Sequence, residues 1–275
     1  MNKKNPTKKL AVIGVGNMAK AIIGGILSSE LSMDEILLFD RNPNQYESLP
    51  SSSLLSEKTC IFDAVCSADI VLLSVKPQNY NEVLDEIKNA PSFEEKLYIS
   101  IGAGISSQSV SEHLDGAKVI RVLPNVPMLI GQGVSVICEN STVDPSDFDF
   151  VCDLFRCAGS ILLIDEKDMN PIIGVTSSSP AYVFQFISAM YQGALAQGLS
   201  NEGLLDAICD VVIGSALTLK NSSDSPEEWV SRVASKGGTT ERALAKLEEY
   251  RFREAISEAM KACTARADEL GRLSK

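Results

Sequence analysis

Through about the first 165 residues, apolar positions gather in short runs that end at glycine, proline or a charged residue and are followed by helical spacing. Leu10 to Gly14 is such a run and passes into a helical pattern that continues to Leu27. Glu35 to Phe39, Ala68 to Val75, Leu97 to Ile101 and Lys118 to Leu123 are others, rich in aliphatic and β-branched residues and short enough for buried strands. Val134 to Cys138, a helix over Pro145 to Arg156 and Ile161 to Ile164 complete the set. Strands alternating with helices predict a parallel sheet, whose ligands collect at the strands' carboxyl ends. Those ends are Gly14, Asp40, Lys76 and Ala103.

Past Asp165 the pattern changes to helix alone. Ser179 as N-cap and Pro180 at the first helical position introduce a helix from Ala181 through Gln197. Further helices are predicted over Asn201 to Leu219, Glu227 to Val233, Glu241 to Tyr250 and Phe252 to Leu270. The first of these carries Ile208, Val211, Val212, Ile213, Ala216 and Leu217, so it is apolar on more than one face. A helix of that kind needs a partner, and in a half this small the partner is expected to be a second copy of the chain.

The first strand ends in Gly14-Val15-Gly16-Asn17-Met18-Ala19. Between strand and helix, the first glycine makes a tight turn and the second lets the backbone approach a pyrophosphate. A small third residue, here Ala19, lets helix and strand pack closely. The expected fold is therefore α/β: a Rossmann-like dinucleotide-binding domain over residues 1–166, followed by an all-α substrate and dimerisation domain over residues 167–275. Asp40 and Arg41 close the second strand, where the ribose is read. Asp40 suits the free 2′-hydroxyl of NAD and Arg41 the 2′-phosphate of NADP, so the sequence leaves NADH and NADPH both open. Pro124-Asn125-Val126-Pro127 forms a rigid elbow on the same rim, and Asn125 is a candidate contact to cofactor or substrate beside a plain turn role.

Composition narrows the partners. A net charge of -11 argues against nucleic acid or an anionic membrane surface. The seven cysteines, at 60, 66, 138, 152, 157, 209 and 263, contain no Cys-x-x-Cys and read as reduced core residues, as in a cytoplasmic protein without disulfides or zinc. Met1 to Lys9 is basic, but the apolar run after it is too short and mixed for an export signal or a membrane span. The single histidine, His113, lies on what reads as the polar face of a helix and is expected to be solvated. Mechanisms built on a histidine base, a Ser-His-Asp triad or a histidine-rich metal site are thereby disfavoured.

One turn stands out in the helical half. Val233-Ala234-Ser235-Lys236-Gly237-Gly238-Thr239-Thr240-Glu241 places two glycines and flanking hydroxyls where a helix opens. Backbone amides converging at a helix N-terminus make an anion seat, although the same residues also suit an ordinary capped loop.

Taken together, the chain resembles pyrroline-5-carboxylate reductase over nearly its whole length. The resemblance rests on Gly14 to Ala19, Val75-Lys76-Pro77, Arg121 to Pro127, Gly174 to Tyr182, and Ser235 to Thr240 followed by Ala243, Leu247-Glu248 and Phe252-Arg253. It implies hydride transfer from NAD(P)H to a cyclic imine, giving L-proline, with Thr240 hydrogen-bonded to the ring nitrogen. Ser235 and the backbone around Gly237, Gly238 and Thr239 would hold the carboxylate, with Ser178 and Glu166 as further substrate residues. Gly14, Gly16, Asn17, Met18, Ala19, Asp40, Arg41, Val75, Lys76, Pro77, Ala103 and Asn125 would serve the cofactor, no metal is implied, and dimers would assemble into rings.

Four positions depart from the family's usual residues. Lys236 replaces Pro, Ser177 replaces Gly, Val126 replaces Thr and Arg251 replaces Gly. They leave two other readings open at this point: a related oxidoreductase acting on another small imine, keto or hydroxy acid, and a regulatory protein that binds dinucleotide without turning substrate over.

Overall fold

The structure, a computed structural model, describes residues 7–273. The basic start of the chain therefore lies outside the described residues up to position 6, as does the end of the second predicted domain at 274–275. Residues of Met1–Ser178 and Lys261–Lys275 form one compact unit and Ser179–Met260 a second.

The first unit is built on an eight-stranded sheet. In chain order its strands are β1 (Lys9–Ile13), β2 (Glu35–Phe39), β3 (Leu55–Glu57), β4 (Ile70–Leu73), β5 (Leu97–Ser100), β6 (Lys118–Leu123), β7 (Gly133–Cys138) and β8 (Gly159–Ile164). In space they run β3-β2-β1-β4-β5-β6-β7-β8. Helices α1 (Asn17–Leu27), α2 (Ile61–Ser67), α3 (Tyr80–Ile87), α4 (Ser107–His113) and α5 (Pro145–Arg156) connect them. All pairings are parallel except that between β6 and β7, which is antiparallel. The expectation of a parallel sheet holds for the first six strands in space and is corrected at β7. An apolar run buried on both faces looks alike in either direction, so only the short link from Leu123 to Gly133 could have signalled the reversal. Strand β3 has three residues and no long apolar run, which is why the pattern does not show it.

Each face of the sheet has its own core. On one face Leu10, Val12, Leu38, Leu72 and Ile120 pack with Ile22, Ile23 and Ile26 of α1 and Phe155 of α5. On the other Ala11, Ile13, Val71, Leu73 and Tyr98 pack with α2 and α3. Alternate residues of each strand thus point to opposite layers, which explains continuous rather than alternating apolar runs. Tyr80 ties the carboxyl ends of two strands together: its hydroxyl donates to the Leu73 carbonyl at 3.0 Å, accepts from the Gly102 amide at 2.9 Å and meets Ser100 Oγ at 3.1 Å. Burial pushes that hydroxyl up to about 12, so it stays protonated in this role through the neutral range.

The second unit is helical: α6 (Ser179–Ala196), α7 (Leu204–Lys220), α8 (Pro226–Val233), α9 (Thr239–Glu249) and the first part of α10 (Phe252–Leu273). Ser225 and Glu228 form a capping box at the start of α8. Helix α7 begins three residues later than its pattern because Gly203, at φ 84°, ends the preceding turn in a left-handed conformation. Helix α6 has no buried residue and α7 only Ile208, while Phe184, Val211, Ile213 and Leu217 are each more than half exposed.

Two expectations need correction. Cys138 and Cys152 are buried, but the other five cysteines are only partly so. His113 is half-buried, with Nε2 2.8 Å from Asp85 Oδ1. Arg251, between α9 and α10, lies in the left-handed region at φ 55°. A side chain there costs roughly 1–2 kcal/mol, partly offset because glycine loses more freedom on folding. Arg251→Gly is therefore expected to stabilise the protein by about 1 kcal/mol, read as a shift in the urea midpoint at unchanged slope. A destabilised variant would contradict the strain.

Candidate active site

The sheet's strand order reverses between β1 and β4, and a crevice opens at their carboxyl ends. Gly14 sits there at φ 91°, donating its amide to the Phe39 carbonyl at 2.8 Å. A Cβ on Gly14 would meet the Ser74 carbonyl oxygen and Val75 Cγ1 at 2.9 Å each, so this turn has no room for any other residue. Gly16 differs. Nothing lies within 4 Å of a Cβ built on it, and it faces open space as the N-cap of α1 without a side-chain cap. The free N–H groups of the first turn of α1 therefore border a space a pyrophosphate could fill. Ala19 is fully buried, as close packing of α1 on the sheet requires.

The crevice brings together Gly14, Asp40, Arg41 and Val75 with Phe39, Ile61, Asn79 and Val83, around a cavity of about 160 Å³. Four of these were marked by sequence. Asn79 and Val83 were not, because nothing in their local pattern separates them from other residues around α3. Asn17 and Met18 line a smaller hollow of about 70 Å³ with Val126 and Leu129, so the elbow after β6 adjoins the glycine turn. Lys76 is exposed and Pro77 starts the single turn before α3, while Ala103 is half-buried after β5. The geometry fits a dinucleotide: a turn without side chains, an uncapped helix start and a small crevice for a base and its ribose.

Asp40 and Arg41 are already engaged. Asp40 Oδ2 accepts from the Val15 amide at 2.7 Å and Oδ1 from the Asn42 amide at 2.8 Å, bracing the glycine turn. Arg41 Nη1 donates to Glu82 Oε2 at 2.9 Å, and Nη2 lies 2.8 Å from Glu82 Oε1 and 3.2 Å from Glu86 Oε1. These two glutamates, more than 40 positions along the chain, gave no sequence signal.

Asn125 is buried and its amide spans two segments: Oδ1 accepts from the Val134 amide at 2.9 Å and Nδ2 donates to the Thr176 carbonyl at 3.1 Å. It fixes the elbow from within. Glu166, which the resemblance puts at the substrate, is the counterion of buried Arg121. Arg121 Nη1 donates to Glu166 Oε1 at 2.7 Å and Nη2 to Asn170 Oδ1 at 2.6 Å, while Ser107 Oγ donates to Glu166 Oε2 at 2.8 Å. Ser178 Oγ lies 3.0 Å from Cys263 Sγ. Beside it the Ser177 hydroxyl is buried without a hydrogen-bond partner, a cost that glycine, the family's usual residue, would not carry.

In the second unit, the turn before α9 has the predicted form with a different division of donors. Gly237 adopts φ 74° and Gly238 is the N-cap of α9. The Gly238 amide closes the turn onto the Ser235 carbonyl at 2.9 Å, and the Gly237 amide donates to Glu241 Oε2 at 2.8 Å. The donors left at the helix start are the amides of Thr239, Thr240 and Glu241. Ser235 and Lys236 are exposed and Thr240 is half-buried. A Cβ on Gly238 would meet Ser235 Oγ at 2.6 Å, so glycine there keeps the serine hydroxyl beside the helix start. Thr240 borders an apolar groove of about 890 Å³ whose walls include Phe186, Val211, Trp229 and Leu244. Glu241, quoted with the turn in the sequence but given no role there, takes one of its amides.

Comparison with known proteins covers both units. Residues 166–270 match the family model described as pyrroline-5-carboxylate reductase dimerisation, and residues 9–104 match that of NADP oxidoreductase, coenzyme F420-dependent. A pyrroline-5-carboxylate reductase of Escherichia coli K12 is 34% identical over 267 residues, covering 96% of this chain and 99% of the relative. Among solved structures, a Plasmodium falciparum pyrroline carboxylate reductase with NADP bound superposes with a TM-score of 0.86 at 27% identity, covering 96% of this chain and 98% of that one. A Streptococcus pyogenes 1-pyrroline-5-carboxylate reductase gives 0.85 at 28%, covering 96% and 99%. No helix among the described residues is long and apolar enough to cross a membrane.

Proposed function

This chain belongs to the pyrroline-5-carboxylate reductase family, and from that premise we propose that it reduces 1-pyrroline-5-carboxylate to L-proline with NAD(P)H, with the residues at the two helix starts dividing the work. The observation that carries the reading is the pairing, in one chain of this family, of a side-chain-free turn at the sheet's reversal point with a Gly-Gly turn rich in hydroxyls.

A reduced nicotinamide cofactor, when bound, supplies the hydride that the imine carbon accepts. The rest of the work is binding and orientation. Gly14 and Gly16, with Asn17 and Met18, would hold the cofactor's phosphates against the start of α1, which buried Ala19 lets pack closely on the sheet. Val75, Lys76, Pro77, Ala103 and the elbow at Asn125 line the rim around them. Ser235 and the first-turn amides of α9 hold the substrate carboxylate, where the helix dipole favours an anion. Thr240 hydrogen-bonds the ring nitrogen and keeps the imine aligned for attack on one face. Ser178 and Glu166, both in the first unit, serve as further substrate residues, with Arg121 and Ser107 holding the glutamate in place. No histidine participates, in keeping with His113 being paired to Asp85.

The family's dimerisation region and the exposed apolar faces of α6 and α7 make the chain a homodimer or a larger oligomer, and we take the dimer as the building block of a ring. Seven cysteines without a disulfide suit a reducing compartment, the cytoplasm.

Activity is tested by following oxidation of NADH and NADPH with racemic pyrroline-5-carboxylate. Wild-type protein should turn over with at least one cofactor, and Thr240→Ala should lose about 100-fold in kcat/KM, the worth of a transition-state hydrogen bond near 2.7 kcal/mol. No turnover with either cofactor would refute the activity, and a loss of only a few-fold would refute the role of Thr240. Sedimentation velocity is expected to show no monomer at micromolar concentration. A monomer that persists as concentration rises would refute the assembly.

A further inference from the structure

The ribose corner of the cofactor crevice carries more negative than positive charge. Two carboxylates, Glu82 and Glu86, hold the Arg41 guanidinium, and a third, Asp40, lies next to Arg41 in the chain with its oxygens on the Val15 and Asn42 amides. Arg41 is the side chain placed to pair with a 2′-phosphate, but both of its terminal nitrogens are committed to α3, in a fork on Glu82 with Glu86 alongside. The hydrogen bond from Arg41 holds the Glu82 carboxyl below its usual range, so Glu82 is ionised at neutral pH. Lys20, another cation reaching the loop after β2, donates to Gln45 Oε1 at 2.8 Å. A 2′-phosphate adds about 1.5 to 2 negative charges. To bind, it must draw Arg41 from two carboxylates while approaching Asp40 and both glutamates. A free 2′-hydroxyl meets no such opposition and can donate to the remaining lone pairs of Asp40.

We propose that this corner selects the unphosphorylated ribose, so that the chain binds NADH in preference to NADPH, with Glu82 and Glu86 as the residues that set the preference by occupying Arg41. The inference rests on the dinucleotide reading above and extends it to the identity of the cofactor.

The test is direct binding, independent of turnover. NADH and NADPH are titrated separately into the full-length protein and followed by nicotinamide fluorescence at low ionic strength, with wild type and the double variant Glu82→Gln/Glu86→Gln. Wild type should bind NADH at least about tenfold more tightly, a difference near 1.4 kcal/mol. The double variant should gain about fivefold or more for NADPH while NADH affinity stays within about twofold, because Arg41 is freed for phosphate. A second measurement needs no variant: raising salt from about 50 to 500 mM should narrow the wild-type preference, since the repulsion is screened. Equal or tighter NADPH binding by wild type, or a ratio that neither the variant nor salt moves, would overturn the proposal. Failure of folded wild type to bind either cofactor would overturn the dinucleotide reading itself, and the proposal with it.

Discussion

Gly14 has room for a hydrogen atom and nothing larger, and much of the cofactor crevice depends on that. With Ser74 and Val75 pressed against its Cα, the chain leaves β1 in a left-handed turn that no other residue would relax into. The turn is braced from β2 by the Asp40 carboxylate on the Val15 amide, and its neighbour β4 is tied to β5 through Tyr80. Helix α1 therefore starts at a defined place with its first amides uncapped. Two strand ends, one helix start and one acidic side chain are fixed by a single close approach, which is also what makes the crevice fit a dinucleotide.

The second helix start shows the same physics with a different allocation. Two of the amides at Gly237 and Gly238 are spent inside the turn, one on Ser235 and one on Glu241. What remains for an anion is the first turn of α9 and the hydroxyl of Ser235, which is why glycine at 238 matters more for the space it leaves beside that hydroxyl than for its conformation, extended at φ -80°. The family departures can be judged in the same terms. Ser177 brings a buried hydroxyl without a partner and Arg251 a strained backbone, both costs to stability. Val126 borders Asn17 and Met18 and alters the lining of the smaller hollow beside the glycine turn. Lys236 adds an exposed cation next to Ser235.

Local signals made much of this readable from residues alone. The bounds of β2, β6 and α5 agree with the apolar pattern, since turn residues or a proline mark their ends. The glycine turn is legible because strand, spacing and helix coincide. What escaped reading is what depends on distant pairing: the reversal at β7, the three-residue β3, the clamp of Glu82 and Glu86 on Arg41, and the burial of Arg121 against Glu166. A charged residue's role follows from its partner, and partners 41 or 45 positions apart leave no periodic trace. That is why Asp40 and Arg41 point to opposite cofactors when read from the sequence alone.

The reaction moves a hydride from a reduced nicotinamide to the imine carbon of pyrroline-5-carboxylate. The most direct measurement uses cofactor deuterated at C4 of the dihydronicotinamide, in each of its two stereochemical forms, and analyses the product by mass spectrometry and NMR. One form should yield L-proline carrying a single deuterium at C5 and the other unlabelled L-proline. Proline without deuterium from both forms, or no proline at all, would rule out this hydride transfer.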